Sequence, residues 1–224
     1  MRFCGSKFYT YERADVALIS KEGERFECKP ETSAITRELI KLGTVSARSL
    51  KKNVMVPFST STVKLLLGQV PITYFTDSED HKNWFGLEVV LEEAAGYCTE
   101  NPEIYNVCKT VCQSMLECLD DTNCFLIQRK LGDYAFHDSS DKALEFIKYN
   151  LARMIEEKTV DINFYRTDAE DLKILLDDDE MNVDPEDQLL NVIDSWIGKS
   201  YIKHYTGRVL QISFNSNSKV IKQR

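Results

Sequence analysis

The residues able to do chemistry in this chain are scattered. There are seven cysteines and three histidines, His81, His137 and His204. No histidine falls in a metal spacing with a cysteine or an acid. Cys108 and Cys112 are four apart and would share one helix face, but no two further ligands lie nearby in sequence. Both read as small apolar core residues instead. His137 lies near Cys124 in sequence, yet a nucleophile pair needs a third group to orient the base, and nothing marks one. Asp177 to Glu180 is a run of four acids. It lacks the alternating ligand positions of a calcium loop and reads as a solvated helix end. There is no phosphate-cradling glycine loop and no G-x-S-x-G. These patterns predict no catalytic residue, no metal and no cofactor.

The bulk properties agree with a packed, water-facing protein. Hydrophobic residues make up 43% of 224 positions, enough for a core and too many for disorder. No apolar run approaches the roughly 18 residues of a membrane span. The opening MRFCGSKFYTYERAD has no apolar stretch of the kind an export signal needs, which predicts an intracellular protein, cytoplasmic or nuclear, with reduced thiols. A net charge of −8 argues against nucleic acid and against anionic lipid as partners. From Lys199 to Arg224 the balance reverses, with six Lys or Arg and no Asp or Glu. That basic end reads either as a contact for an acidic partner or as a solvated, frayed terminus.

The elements that would position any site alternate between two periods. Val16, Leu18 and Ile19 lie in a short β-prone run. Glu22-Gly23 supplies a turn, and Phe26 and Cys28 share one face of the returning strand. Ile35, Leu39 and Leu42 recur at helical spacing after Pro30. Residues 42–53 read as loop with some helix. Val54, Val56 and Phe58 alternate as a third strand. Ser59 to Thr62 offers hydroxyl caps to a helix carrying Val63, Leu66 and Leu67. Pro71 to Thr76 is short, β-branched and aromatic, and predicts an edge strand. Trp84, Leu87, Leu91, Ala94, Ala95 and Cys98 form one helical stripe. Asn101-Pro102 opens the next helix, from which Ile104, Cys108, Val111, Met115 and Cys118 face the core. A small sheet flanked by helices makes an α+β domain.

These residues resemble the BTB/POZ fold over about residues 12–118. Asp15-Val16 sits where that family starts a strand with D-V. Phe26 to Lys29 (FECK) sits where it reads F-x-A-H, with Lys29 in place of the His. Val90 to Cys98 (VLEEAAGYC) is similar to the family's LLEAADYLQ helix.

The second half predicts helices only. Cys118 to Cys124 (CLDDTNC) forms a junction in which Thr122 or Asp121 can cap the helix that follows. Leu126, Ile127, Leu131 and Ala135 supply that helix's apolar side, and Leu144, Ile147, Leu151, Met154 and Ile155 supply the next. Thr167 to Glu170 reads as a capping box before Leu172, Leu175 and Leu176. Asp184-Pro185-Glu186 restarts the chain with acids at the positive end of a helix dipole. Leu189, Val192, Ile193, Trp196 and Ile197 then recur on one face, with Trp196 as a core anchor. This order resembles the BACK domain: its L-x-x-x-N-C junction at 118–124, its L-L-x-x-D-x-L-x-V phrase at Leu175 to Val183, its E-x-x-V-x-x-A-V-x-x-W helix ending at Trp196, and its L-L-x-x-V-R-F phrase at Arg208 to Phe214, with Ser213 in place of the Arg.

The resemblance implies a BTB/POZ-like domain over 12–118, a BACK-like helical domain over 119–214 and a basic tail over 215–224. It implies a non-enzymatic adaptor that docks a client onto a cullin-type ubiquitin ligase, or else a scaffold that dimerises or holds a dedicated partner without a cullin. In that family a hydrophobic-x-Glu sequence anchors the cullin. The nearest match is Phe75-Thr76-Asp77, where Phe75 reads equally as core. The family's dimers exchange an N-terminal strand, for which Phe8, Tyr9 and Tyr11 (with Phe3) are the candidates. The same residues are as well suited to covering the chain's own sheet edge.

Overall fold

The computed structural model describes residues 16–29, 33–45, 52–76, 84–178 and 186–200. The chain divides into two compact units, residues 1–147 and 148–224, and the division falls inside one long helix.

The first unit is built on a four-stranded mixed sheet of order β2-β1-β4-β3. Strands β1 (Val16–Ile19) and β2 (Arg25–Cys28) form the expected antiparallel hairpin, with Leu18 opposite Phe26. β1 also pairs in parallel with β4 (Lys52–Met55), setting Leu18 beside Val54. A parallel pair needs a crossover, and helix α1 (Ala34–Leu42) lies within it, burying Leu39 completely. The period-two pattern holds through the end of β4, since Val54, Val56 and Phe58 are all buried while Met55 is exposed.

Two readings of this region are corrected. Thr44–Val45, expected as loop, forms the short edge strand β3 against Val54 and Met55. Residues 72–75, expected as an edge strand, are a single 3₁₀ turn. Pro71 has no N–H to give a ladder, and its carbonyl instead accepts the Tyr74 N–H at 3.1 Å, closing the turn.

Helices α2 (Thr60–Leu66), α3 (Phe85–Ala94), α4 (Pro102–Glu117) and α5 (Cys124–Asp133) complete this unit's core. Ser59 caps α2 by accepting from the Thr62 N–H, and Pro102 opens α4, both as the sequence predicts. The α3 stripe of Trp84, Leu87, Leu91 and Ala94 is buried, as is the α4 set of Ile104, Cys108, Val111, Met115 and Cys118. Ile127 and Leu131 of α5, and Phe136 just after it, join the same continuous core as the sheet.

The junction before α5 differs in detail from expectation. Neither Thr122 nor Asp121 makes the cap. Asn123 closes the turn, accepting from the Asp120 N–H and donating to the Cys118 carbonyl, both at 2.9 Å. Asp120 in turn takes the Thr122 N–H and hydroxyl, which leaves that hydroxyl occupied. Ala135, expected on the apolar side of α5, is exposed and stands at φ 62°, past the helix end.

Helix α6 (His137–Glu157) carries the chain into the second unit, followed by α7 (Ala169–Leu176) and α8 (Glu186–Ser200). Leu151, Met154, Phe164, Leu172, Leu175, Val192 and Trp196 are buried there. The cap of α7 is Asp168, whose carboxylate accepts the Asp171 N–H at 2.8 Å, rather than Thr167. Asp has the stronger claim because its charge also meets the positive end of the helix. Thr167 contributes its carbonyl, which accepts the Trp196 indole N–H at 3.1 Å. Among the described residues, strands occur only between Val16 and Met55, and no helix is long and apolar enough to cross a membrane. The Asp184-Pro185 restart, the Arg208 to Phe214 phrase and the basic tail lie outside the described residues.

Candidate interaction surface

The strongest local feature of the first unit is a run of aromatic side chains around the 3₁₀ turn Ile72–Phe75. The turn projects Tyr74 outward, 67% exposed, while Phe75 folds back against the core. The two rings meet edge to face, with centroids 5.4 Å apart at 85°. Phe75 lies on Gly86 in the first turn of α3. A Cβ at that position would stand 2.8 Å from Phe75 Cδ1, so only glycine admits the ring there. Next to Gly86, Phe85 is 59% exposed and stacks on buried Trp84 with centroids 4.7 Å apart. Val89, one turn along α3, is 42% exposed.

Phe75 is therefore half-buried, sharing its ring between the fold and the surface. Asp77, Phe8, Tyr9 and Tyr11 lie outside the described residues. Tyr74, Phe85, Gly86 and Val89 were not anticipated. A signal for two of them was present: Phe85 and Val89 are apolar, four apart on α3, and fall off the Trp84/Leu87/Leu91 stripe. Apolar residues off the buried stripe mark a second face.

Beside this run is a shallow cleft of about 240 Å³ lined by Glu22, Ser59, Thr60, Ser61, Lys64, Val70 and Tyr74. Its polar groups are engaged with one another. Glu22 accepts from the Thr60 N–H at 2.7 Å and from its hydroxyl at 2.9 Å, and these bonds hold the carboxyl below the usual carboxylate range. Lys64 pairs with Glu24. Glu93 of α3 ties the neighbouring elements together, accepting from Lys21 at 2.7 Å, from the Ser59 N–H at 2.8 Å and from the Ser59 hydroxyl at 2.7 Å. Burial pushes the Glu93 carboxyl up, but the bonds from Lys21, Ser59 and Thr62 outweigh it and bring it below its ordinary 4.5. Such a network fastens the β1–β2 turn to α2 and α3.

The metal reading of Cys108 and Cys112 ends in the core. Both are fully buried, and no group of three or more His, Cys, Asp or Glu among the described residues is placed to hold a metal ion.

Among the described residues of the second unit, the large exposed apolar side chains are Tyr149, Ile162, Ile174 and Leu190. Tyr149 lies on α6, Ile162 in the segment that follows it, Ile174 on α7 and Leu190 on α8.

Comparison with known proteins places the second half of the chain. The family model described as BTB And C-terminal Kelch, or BACK, matches residues 124–212. The Caenorhabditis elegans protein named Spermatocyte protein spe-26 is 46% identical over 204 residues, which is 90% of this chain and 35% of that protein. The chain thus spans about a third of the length of the curated relative it matches.

Proposed function

We propose that this chain is a non-enzymatic, intracellular adaptor in which a BTB/POZ-like module (12–118) leads into a BACK-like helical module (119–214) and a basic tail (215–224), and that it brings a client to a cullin-type ubiquitin ligase. The observation that carries the reading is the BACK match at 124–212, preceded by a small mixed sheet and helices. The docking surface is the aromatic run of Tyr74, Phe75 and Phe85, with Val89 beside it on α3. An exposed aromatic anchor with a polar rim is what a protein interface needs, and Glu22, Thr60 and Lys64 supply a rim beside Tyr74. The test is gel filtration of the chain with a cullin N-terminal domain at micromolar concentration. Co-elution is expected, and its loss in the Tyr74→Ala, Phe85→Ala double variant. Both side chains are more than half exposed, so the fold should survive. Separate elution of the two proteins sinks the ligase reading.

A specific observation favours a second reading, a BTB–BACK scaffold that works without a cullin. The family's hydrophobic-x-Glu anchor is Phe75-Thr76-Asp77 here, ending in Asp, and the Phe75 ring is partly committed to Gly86. On this reading the chain dimerises or holds a dedicated partner. Sedimentation separates the possibilities: a 25.8 kDa species at all concentrations excludes self-association. Because the similar protein is called a spermatocyte protein, germ-line extract is the first material for affinity purification.

A further inference from the structure

An acid stands three residues after a hydroxyl side chain at Thr76, Ser114 and Thr167. Ser114 is wound inside α4, with helix on both sides of it. Asp77 to Asp80, which follow Thr76, lie outside the described residues. Thr167 begins the run Thr167-Asp168-Ala169-Glu170-Asp171, all of it described. It ends the 3₁₀ turn Phe164–Arg166 and directly precedes the cap of α7. The backbone is extended at Thr167, with φ −60° and ψ 136°, and at Asp168, with φ −76° and ψ 170°. Thr167 is half-buried, and its hydroxyl donates to the Asn163 carbonyl at 3.4 Å, a length at which little is lost when the bond is given up. Asp168, Glu170 and Asp171 are all exposed.

We infer that Thr167 is a phosphorylation site for a protein kinase whose substrate groove is basic.

The extended backbone lets a kinase's catalytic base reach the hydroxyl. The exposed acids after it supply the charge that a basic groove selects. In the transfer, Thr167 Oγ attacks the γ-phosphorus of ATP. The new O–P bond forms as the bond to the bridging oxygen of ADP breaks. ADP leaves, and the hydroxyl proton passes to the kinase's catalytic carboxylate. The product carries about −1.5 to −2 charge at this position. That charge stands next to Asp168, whose carboxylate already accepts the Asp171 N–H to cap α7. It also stands on the residue whose carbonyl holds the Trp196 indole N–H. Repulsion between the phosphate and Asp168 therefore acts on the junction that ties the turn to α7 and α8.

The test incubates the full, folded chain with magnesium ATP and casein kinase 2, whose substrates carry acids after the hydroxyl. A parallel reaction uses protein kinase A, whose substrates carry basic residues before it. Trypsin, cutting after Arg166 and Lys173, releases the peptide TDAEDLK, in which Thr167 is the one hydroxyl residue. Where a phosphate blocks the cut at Arg166, fragment spectra of the longer peptide from Thr159 place it. The expected result is phosphate on Thr167 with the first kinase and none there with the second. Thr167→Val should abolish it. The Asp168→Asn, Glu170→Gln double variant should slow it about tenfold. That variant should keep its fold, read as unchanged Trp196 emission, because Asn caps a helix as well as Asp does. Four results overturn the assignment: Thr167 left unmodified while Thr76 or any other residue takes the phosphate or none does, modification only after the chain is unfolded, equal modification by both kinases, or a double variant modified at the wild-type rate.

Discussion

Leu131 and Trp196 stand in different units and are held in different ways. Leu131 sits in a continuous apolar core that also contains Leu18 of the sheet, Leu91 of α3 and Met115 of α4. Its position is set by packing from many directions. Trp196 has a single directional tether, the indole N–H given to the Thr167 carbonyl, and close by Tyr165 and Ser195 share a hydroxyl contact at 3.4 Å. The difference teaches that a sequence-family boundary and a packing boundary need not coincide. The BACK match begins at residue 124, yet Ile127, Leu131 and Phe136 are built into the core that the sheet belongs to, and the units divide only within α6.

The sharpest way to break this comparison is to remove each anchor in turn. The chain carries one tryptophan in each unit, Trp84 at 3% exposure and Trp196 at 8%, so each can report separately. Trp196→Ala should destabilise the second unit by about 3–5 kcal/mol, the usual cost of emptying a buried aromatic site. Trp84 fluorescence should still report a folded first unit under conditions where far-UV circular dichroism shows helix lost. A change within error would remove Trp196 as an anchor. Leu131→Ala should cost about 2–5 kcal/mol. Its effect should appear at Trp84, because Leu131 and Trp84 lie in one core. If Leu131→Ala left the Trp84 transition in place, α5 would be packing independently of the sheet.

Much of this arrangement was legible in the sequence, and the misses have local causes. Long apolar stripes such as Ile104, Cys108, Val111 and Met115 in α4 are set by periodicity and are buried as expected, with Cys112 buried beside them. What failed was the chemistry of short connections, where several polar groups compete for one N–H. At the α5 junction Asp120 claims the Thr122 N–H and hydroxyl, so Asn123 is left to close the turn. At 72–75 an aromatic, β-branched composition suggested strand, but Pro71 and the Phe75–Gly86 contact decide for a turn. That contact is between residues remote in sequence, and neither reveals the other. The candidate surface was legible only at Phe75, because exposure of Tyr74 and Phe85 depends on which face the turn presents.

Acid probes the first unit more gently. The Glu93 carboxyl is lowered below 4.5 in the folded chain, so its ionised form stabilises the native state above that value and the contribution disappears as pH falls through the lowered value. In the Trp196→Phe background, the urea midpoint read at Trp84 should fall as pH drops below 4.5, and Glu93→Gln should flatten this dependence. Equal acid sensitivity with and without Glu93 would take it out of the account. The comparison is useful because the Glu93 network fastens the sheet turn to α2 and α3 without touching α5.

The smallest effects test the helix ends, where the two units use the same geometry with different residues. At the end of α2, Gly68 stands at φ 67°, with its N–H on the Leu65 carbonyl and the Gln69 N–H on the Lys64 carbonyl. At the end of α5, Ala135 stands at φ 62°, and the Ala135 and Phe136 N–H groups reach Gly132 and Leu131. At the end of α6, Lys158 stands at φ 60°, and the Lys158 and Thr159 N–H groups reach Ile155 and Met154. All three are Schellman caps, a motif that favours glycine at the left-handed position. A side chain there costs roughly 1–2 kcal/mol in strain, against which glycine loses about 0.5–1 kcal/mol more backbone entropy on folding. Ala135→Gly should therefore raise stability by about 0.5–1 kcal/mol, read at Trp84, and Lys158→Gly should do the same for the second unit, read at Trp196. Gly68→Ala should cost a similar amount, since nothing lies within 4 Å of an added Cβ and only the backbone angle opposes it. If Ala135→Gly destabilised the chain instead, the Leu131–Phe136 pairing across that cap would depend on the alanine methyl, and the cap would be a packing site rather than a point of strain.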